Sequence, residues 1–348
     1  MKEVNEMNVP FISITLVCYN YAHYLSRTLE AIGRQTFRDF EVVFIDNGSS
    51  DNSMEVARDF FDKHPDISVQ LLRNNNVDHS NAFGENMAVD HATGKYLMFH
   101  DADDWMDDNC LELLAAEAKR VDADRVICAF RDVDDEGKTH QIQGVSKKYR
   151  DKWGHGMQQG NLFRRSIYVE NGMRTLDSVY LDSIKTFTFS YYAKKIGYVD
   201  TPCYNYLVHL DSTSRNKRLH EGMWDIPRKS FKTILDAVVE VYKLCEDEDQ
   251  AARAELQITK IYYSYLFNIL RAASLKEKKE NYVRIRDMMK EALPRYTKNR
   301  YATLSPKSGN RFYARLLIWG ANLCEKLHIM KFALTMYHAL SKVFYFPV

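Results

Sequence analysis

Four short apolar runs dominate the first hundred residues of this chain: Phe11–Cys18, Glu41–Ile45, Val69–Leu72 and Tyr96–His100. Each ends in a polar cluster, and a stretch of helical spacing follows the first three: Leu25, Leu29 and Ile32; Val56, Phe60 and Phe61; Ala82–His91. A helix from Asp108 to Arg120 and a strand over Arg125–Phe130 continue the series. Continuous apolar runs suit strands covered on both faces, and their alternation with helices predicts a parallel, doubly wound α/β sheet. Neither an internal repeat nor a low-complexity linker interrupts the pattern.

In such sheets ligands bind beyond the carboxyl ends of the strands, where strand order reverses. Three of these ends carry chemistry: Tyr19-Asn20, Asp46-Asn47 and Asp101-Ala102-Asp103-Asp104. Clustered carboxylates at a strand end repel one another, and a hard divalent cation relieves the conflict. Mg²⁺ or Mn²⁺ takes one or two carboxylates together with phosphate oxygens, so Asp-x-Asp here suggests a metal holding a diphosphate. The competing reading is a solvated turn that caps the next helix. No Gly-x-Gly-x-x-Gly follows the first strand, and no Gly-rich loop ends in Lys-Ser or Lys-Thr. Nicotinamide dinucleotides and P-loop nucleotides are therefore not expected.

The bulk numbers fit an ordinary globular protein, with 45 % apolar and 27 % charged residues. Six scattered cysteines without a Cys-x-x-Cys pair read as reduced and buried. The opening residues lack a signal-peptide core, and no run reaches the roughly 18 apolar residues of a membrane span. The cytoplasm is the expected compartment. The net charge of +1 hides an asymmetry: from Arg271 onward 16 Lys/Arg face 5 Asp/Glu, a net of +11, against −10 for residues 1–270. An anionic ligand in the acidic part needs a cation, while the basic tail points to a different partner.

Taken together, the motifs resemble family 2 glycosyltransferases. They run from Ser13–Asn20, Tyr24–Leu29, Gln35–Glu41 and Val43–Asp51 through Asn76, Asn86, Ala92–Tyr96 and His100–Asp104. They continue through Leu162–Arg165, Lys195–Val199, Pro202–Tyr206 and Ser212–Ser214, covering about residues 10–215. The resemblance implies a GT-A fold: a Rossmann-like, doubly wound, mostly parallel sheet, here with a C-terminal helical appendage. It divides the chain into a catalytic domain over 1–215 and a helical region over 216–348. It implies an inverting enzyme that moves a sugar from a nucleoside-diphosphate donor, a UDP-sugar foremost, to a glycan or lipid-linked acceptor of cell-surface polysaccharide.

The site residues follow from the same resemblance. Val17, Cys18, Tyr19 and Asn20 would line the base, with Tyr19 stacking on uracil. Asp46 and Asn47 would bond base or ribose, with Asn86 and Ala102 beside the nucleotide. Asp101 and Asp103, joined by His209, would hold Mn²⁺ or Mg²⁺. The base would be Asp182, fourteen residues before Ile196, with Asp177 as its rival. Three departures stand out: Asn47 replaces the usual second acid, Glu85 the usual Arg, and Leu181 the acid beside the base. They leave room for a non-catalytic scaffold of the same fold, or for a nucleotidyltransferase making nucleotide sugars.

Beyond Arg215, helical spacing appears over Phe231–Leu244, Ala252–Ala273, Tyr282–Leu293 and Phe312–Val343. The last segment mixes aromatic and basic residues. It suits either the inner face of an anionic membrane or packing on protein, a second copy included. No feature suggests nucleic acid.

Overall fold

The computed structural model describes residues 9–76, 80–144, 157–177, 181–209, 225–267, 274–305 and 312–340. Trp153, Ser212–Ser214, Arg215 and Lys217 lie outside them. By their contacts the residues form two compact units. The first holds 1–145, 157–177 and 192–209; the second holds 146–156, 178–191 and 210–348. The segment around Asp182 therefore groups with the C-terminal helices, a division that a single cut at 215 does not make.

The first unit opens as expected: β1 (Ile12–Cys18), α1 (Ala22–Gly33), β2 (Phe40–Asp46), α2 (Ser53–Lys63), β3 (Ser68–Arg73), α3 (Asn81–His91) and β4 (Tyr96–Asp101). β1 and β2 are buried along nearly their whole length, as apolar runs without alternation require. Leu25, Leu29 and Ile32 of α1 are fully buried against the sheet. Each contributes about 1.5–3 kcal/mol through apolar burial, so a charge at Leu29 would break this packing.

After β4 come β5 (Trp105–Met106), α4 (Cys110–Val121), β6 (Arg125–Val133), β7 (Thr139–Gln143), β8 (Leu162–Arg164), α5 (Arg165–Glu170), α6 (Leu181–Tyr192) and β9 (Ile196–Leu207). The strand order is β3-β2-β1-β4-β8-β6-β9-β5, with β7 paired to β6. β1 to β4 are parallel, whereas β8 runs antiparallel to both β4 and β6. The strand beginning at Arg125 reaches Val133, beyond the expected Phe130, because β9 pairs with it to Leu207. Helix α4 starts at Cys110 and ends with Asp122 in the left-handed conformation (φ 49°). The amide of Ala123 closes on the carbonyl of Ala118, a Schellman stop.

The second unit, which also takes in α6 up to Tyr191, is helical: α7 (Asp225–Leu244), α8 (Glu248–Phe267), α9 (Leu275–Ala292), a 3₁₀ turn at Tyr296–Lys298, α10 (Phe312–Lys326) and α11 (Met330–Leu340). One helical segment was expected from 312 onward. It breaks at His328 (φ 58°), where Ile329 donates to the Cys324 carbonyl and His328 to that of Glu325. This is again a Schellman stop, made without the glycine that would have announced it. All six cysteines are free; Cys245 and Cys324 are only half-buried. Among the described residues, no helix is long and apolar enough to cross a membrane.

Candidate active site

Register brings three strand ends level. Val17 lies opposite Asp101 across β1–β4, and Cys18 lies opposite Asp46 across β1–β2. Strand order reverses at β1, so the polar residues that follow these strands sit at the switch point where open α/β sheets bind ligands. Tyr19 stands on this rim with 45 % of its surface exposed. Cys18 is buried, and burial pushes its thiol up to about 11, so it stays neutral.

Several of the expected nucleotide contacts also hold the loops together. Asn20, left-handed at φ 55°, accepts from the amides of Ser50 (2.8 Å) and Asp51 (3.3 Å) through its side-chain oxygen. Asp46 is buried; its Oδ1 accepts from the Ser49 amide at 2.8 Å, and Oδ2 lies 3.4 Å from Arg73 Nη1. Asn47 donates to the Ser80 carbonyl (3.1 Å) and accepts from Asn74 Nδ2 (2.8 Å). Helix α3 crosses closely here, since a Cβ at Gly84 would come within 2.6 Å of Val17 Cγ1. Asn86 clasps the Thr175 backbone in both directions at 2.9 Å.

The acids after β4 divide into different roles. Asp103 Oδ2 lies 2.9 Å from His209 Nε2, in a pair whose side chains are 15 % and 4 % exposed. Rings of Tyr24 and Tyr21 pack against His209, at 5.0 and 6.2 Å between centroids. Asp101 Oδ2 accepts from Gln159 Nε2 at 3.0 Å. Ala102 is buried, and its carbonyl accepts from Thr28 Oγ1 at 2.9 Å. Asp104 is fully buried instead of capping a helix: Tyr204 donates to it at 2.9 Å and the Leu207 amide at 2.8 Å. Burial, then the charges of Asp103 and Asp101, push its carboxyl well above the usual carboxylate range. Asp104 thus pins the β4 loop to the end of β9, two residues before His209. Burial lowers His100 to about 4, so that ring is neutral.

Gln159 escapes a reading of motifs, and Glu85 and Arg27 take places in the structure that their motifs do not show. Glu85 replaces the customary cation yet is buried, accepting from Thr175 Oγ1 (2.7 Å) and Gln158 Nε2 (3.4 Å). It braces the segment that carries Gln159. Gly160 adopts φ 65°, and a Cβ there would meet Tyr204 and Cys128 at 3.1 and 3.2 Å. Polar residues at 158, 159 and 161, all buried around a glycine, were the signal available in the sequence. Arg27 lies over the Trp105 ring at 3.8 Å, so that indole packs against a cation on one face.

Among the described residues, Asp101, Asp103 and His209 do not close into a three-ligand group as they stand. The donor chemistry nevertheless fits a hard divalent ion: a carboxylate and an imidazole nitrogen in contact, with a second carboxylate two residues away. Asp182 lies half-buried in the first turn of α6, and Asp177 is exposed before it.

The sheet order, the level strand ends and the acids after β4 define a GT-A glycosyltransferase architecture. The TarS 1–349 structure from S. aureus, solved in complex with UDP, matches with a TM-score of 0.67 at 14 % identity, over 97 % of this chain and 93 % of that 1–349 fragment. Glycosyltransferase EpsH of Bacillus subtilis (strain 168) is 26 % identical over 237 residues, 62 % of this chain and 67 % of EpsH. YibD of Escherichia coli (strain K12), also named a glycosyltransferase, is 28 % identical over 231 residues, 60 % of this chain and 64 % of YibD. Residues 13–177, a little under half of the chain, match the model of glycosyl transferase family 2.

Proposed function

We propose that this chain is a divalent-metal-dependent, inverting hexosyl- or N-acetylhexosaminyltransferase. It takes its sugar from a nucleoside-diphosphate donor, a UDP-sugar first, and passes it to a glycan or lipid-linked acceptor of cell-surface polysaccharide. The observation that carries this reading is the Asp103–His209 pair beside Asp101, at the end of a strand level with two other polar strand ends.

In this reading Tyr19 stacks on the base, and the Asp46–Asn47 turn faces base and ribose. Asp101, Asp103 and His209 would hold Mn²⁺ or Mg²⁺, which when bound supplies Lewis-acid compensation of charge on the leaving diphosphate. Gln159 fixes the rotamer of Asp101, and Asp104 fixes the loop on which Asp103 sits. Asp182 accepts the acceptor hydroxyl proton as that oxygen attacks the anomeric carbon, which inverts the configuration.

A thermal-shift screen of UDP-, GDP- and dTDP-sugars, each with and without Mn²⁺, tests this directly. A ligand that binds only the folded state raises the melting temperature by mass action. The expected result is a shift from one nucleotide class that needs the ion, followed by slow release of free sugar from that donor. Binding without any donor hydrolysis or transfer would favour the non-catalytic scaffold instead.

A further inference from the structure

Helices α10 and α11 present an outer surface that the packing of their own unit does not cover. Phe312, Leu316, Trp319 and Leu323 recur at intervals of four, three and four, which places them on one stripe of α10. Phe332, Met336 and Leu340 recur every four residues on α11. All seven are exposed, Phe312 to 62 % and Phe332 to 66 %. Leu327 and Ile329, at the break between the helices, are exposed as well.

The opposite faces are firmly held. Ile318, Ala321 and Asn322 of α10 are buried, as are Met330 and Leu334 of α11. Glu325 accepts from Tyr262 (2.5 Å) and Tyr282 (3.1 Å), and Asn322 accepts from Tyr263 at 2.7 Å. The outward stripes are thus fixed in place by the inward anchor. A large apolar surface left exposed on ordered helices marks an interaction site.

Charge identifies the occupant. Glu325 is the one acid between Phe312 and Leu340, and it is buried; the exposed charges there are Lys326 and Lys331. Lys331 also lines a cleft of about 450 Å³ with Lys276, Lys279 and Arg284 of α9, against a single carboxylate, Glu280. An apolar stripe beside a cationic cleft matches the acyl boundary and headgroups of an anionic bilayer. A soluble partner of ordinary mixed charge has no need of so one-sided a rim.

We propose that this face of α9, α10 and α11 docks the chain on an anionic lipid surface, the stripes at the acyl boundary and the cleft cations on headgroup phosphates. The inference is independent of the transfer reaction, and its test needs no donor or acceptor. The intact chain is sedimented with vesicles of phosphatidylcholine alone, or with ~30 % phosphatidylglycerol, at rising salt. Binding should require the anionic lipid and weaken by about threefold or more between ~0.05 and ~0.5 M salt. Leu316→Glu with Phe332→Glu should weaken it about tenfold or more, as should Lys276→Glu with Lys331→Glu. These positions are exposed, so melting temperatures should hold. Trp319 emission should shift blue with anionic vesicles and lose that shift in Trp319→Phe.

Failure of the intact chain to sediment with anionic vesicles overturns the proposal. So does undiminished binding by both substituted pairs. A concentration-dependent dimer in sedimentation velocity, broken by Phe332→Glu and unaccompanied by vesicle binding, would assign the face to a second copy and also overturn it.

Discussion

His209 Nε2 meets Asp103 Oδ2 at 2.9 Å across 106 positions of sequence, and both side chains are largely shielded from water. The contact joins the loop after β4 to the residue just beyond β9. If this pair takes part in holding the ion, Asp103→Asn should reduce donor hydrolysis with Mn²⁺ by about 10²-fold or more, since the Lewis-acid contribution is several kcal/mol. Donor binding should weaken only when Mn²⁺ is present. Equal wild-type activity in Mn²⁺ and in excess EDTA would defeat the reading.

Gln159 supplies a sharper probe, because it touches Asp101 at 3.0 Å and carries no charge itself. Partners that orient a ligating carboxylate usually change metal affinity or activity by about 10–100-fold. Gln159→Ala should therefore raise the Mn²⁺ concentration for half-maximal activity about tenfold, with a smaller effect at saturating ion. A titration curve that overlays the wild type would make Gln159 a packing residue only.

The Glu85–Thr175 contact is expected to act through stability. Glu85 Oε2 accepts from the Thr175 hydroxyl at 2.7 Å in a buried setting. Thr175→Val would leave the carboxylate short of one donor, at a cost of about 1–3 kcal/mol. Urea unfolding should show that loss. A double-mutant cycle with Glu85→Gln should give a coupling of about 0.5 kcal/mol or more. Simple additivity of the two changes would mean the hydroxyl is not a partner in solution.

The parallel half of the sheet was legible in the sequence because β1, β2 and β4 are buried on both faces and need unbroken apolar runs. The strand-end residues were legible for the same reason, since a switch point follows from strand order. β8 and β9 were not. Leu162–Arg164 is three residues long, and Ile196–Leu207 has an exposed, polar middle at Asp200 and Thr201, so neither shows a clean period. Their existence rests on pairing with β6, a contact between distant segments. The left-handed stops at Asp122 and His328 were hidden for another reason. Both use residues that reach positive φ far less readily than glycine, and the backbone bonds around them offset the strain.

Asp122 gives a pH test of the fold. Hydrogen bonds from Arg164 (2.7 Å) and Lys195 (3.0 Å), followed by their charges, lower its carboxyl to about 2. A depressed folded pKa means a contribution fully present above the unfolded value near 4 and lost as pH falls through about 2. Wild type should therefore lose melting temperature across that window. Asp122→Asn should be less stable at neutral pH, and its difference from wild type should shrink towards pH 2. A constant difference across the window would assign the effect to the helix stop alone.

The base remains the residue on which mechanism turns. Asp182 sits in the first turn of α6, where a carboxylate is favoured by the helix N-terminus, whereas Asp177 is exposed ahead of that helix. A group that only accepts a proton in transfer is dispensable for holding donor and ion. Asp182→Asn keeps the shape and removes the charge, so donor affinity with Mn²⁺ should change little. Transfer should fall by about 10²–10⁴-fold, the range of a positioned general base. Asp177→Asn should be much milder. The pair is measured by calorimetric titration of donor and by acceptor turnover on the same samples. Near-normal turnover in Asp182→Asn together with a dead Asp177→Asn would move the base to Asp177. Loss of donor binding in Asp182→Asn would instead give this carboxylate a part in forming the donor site.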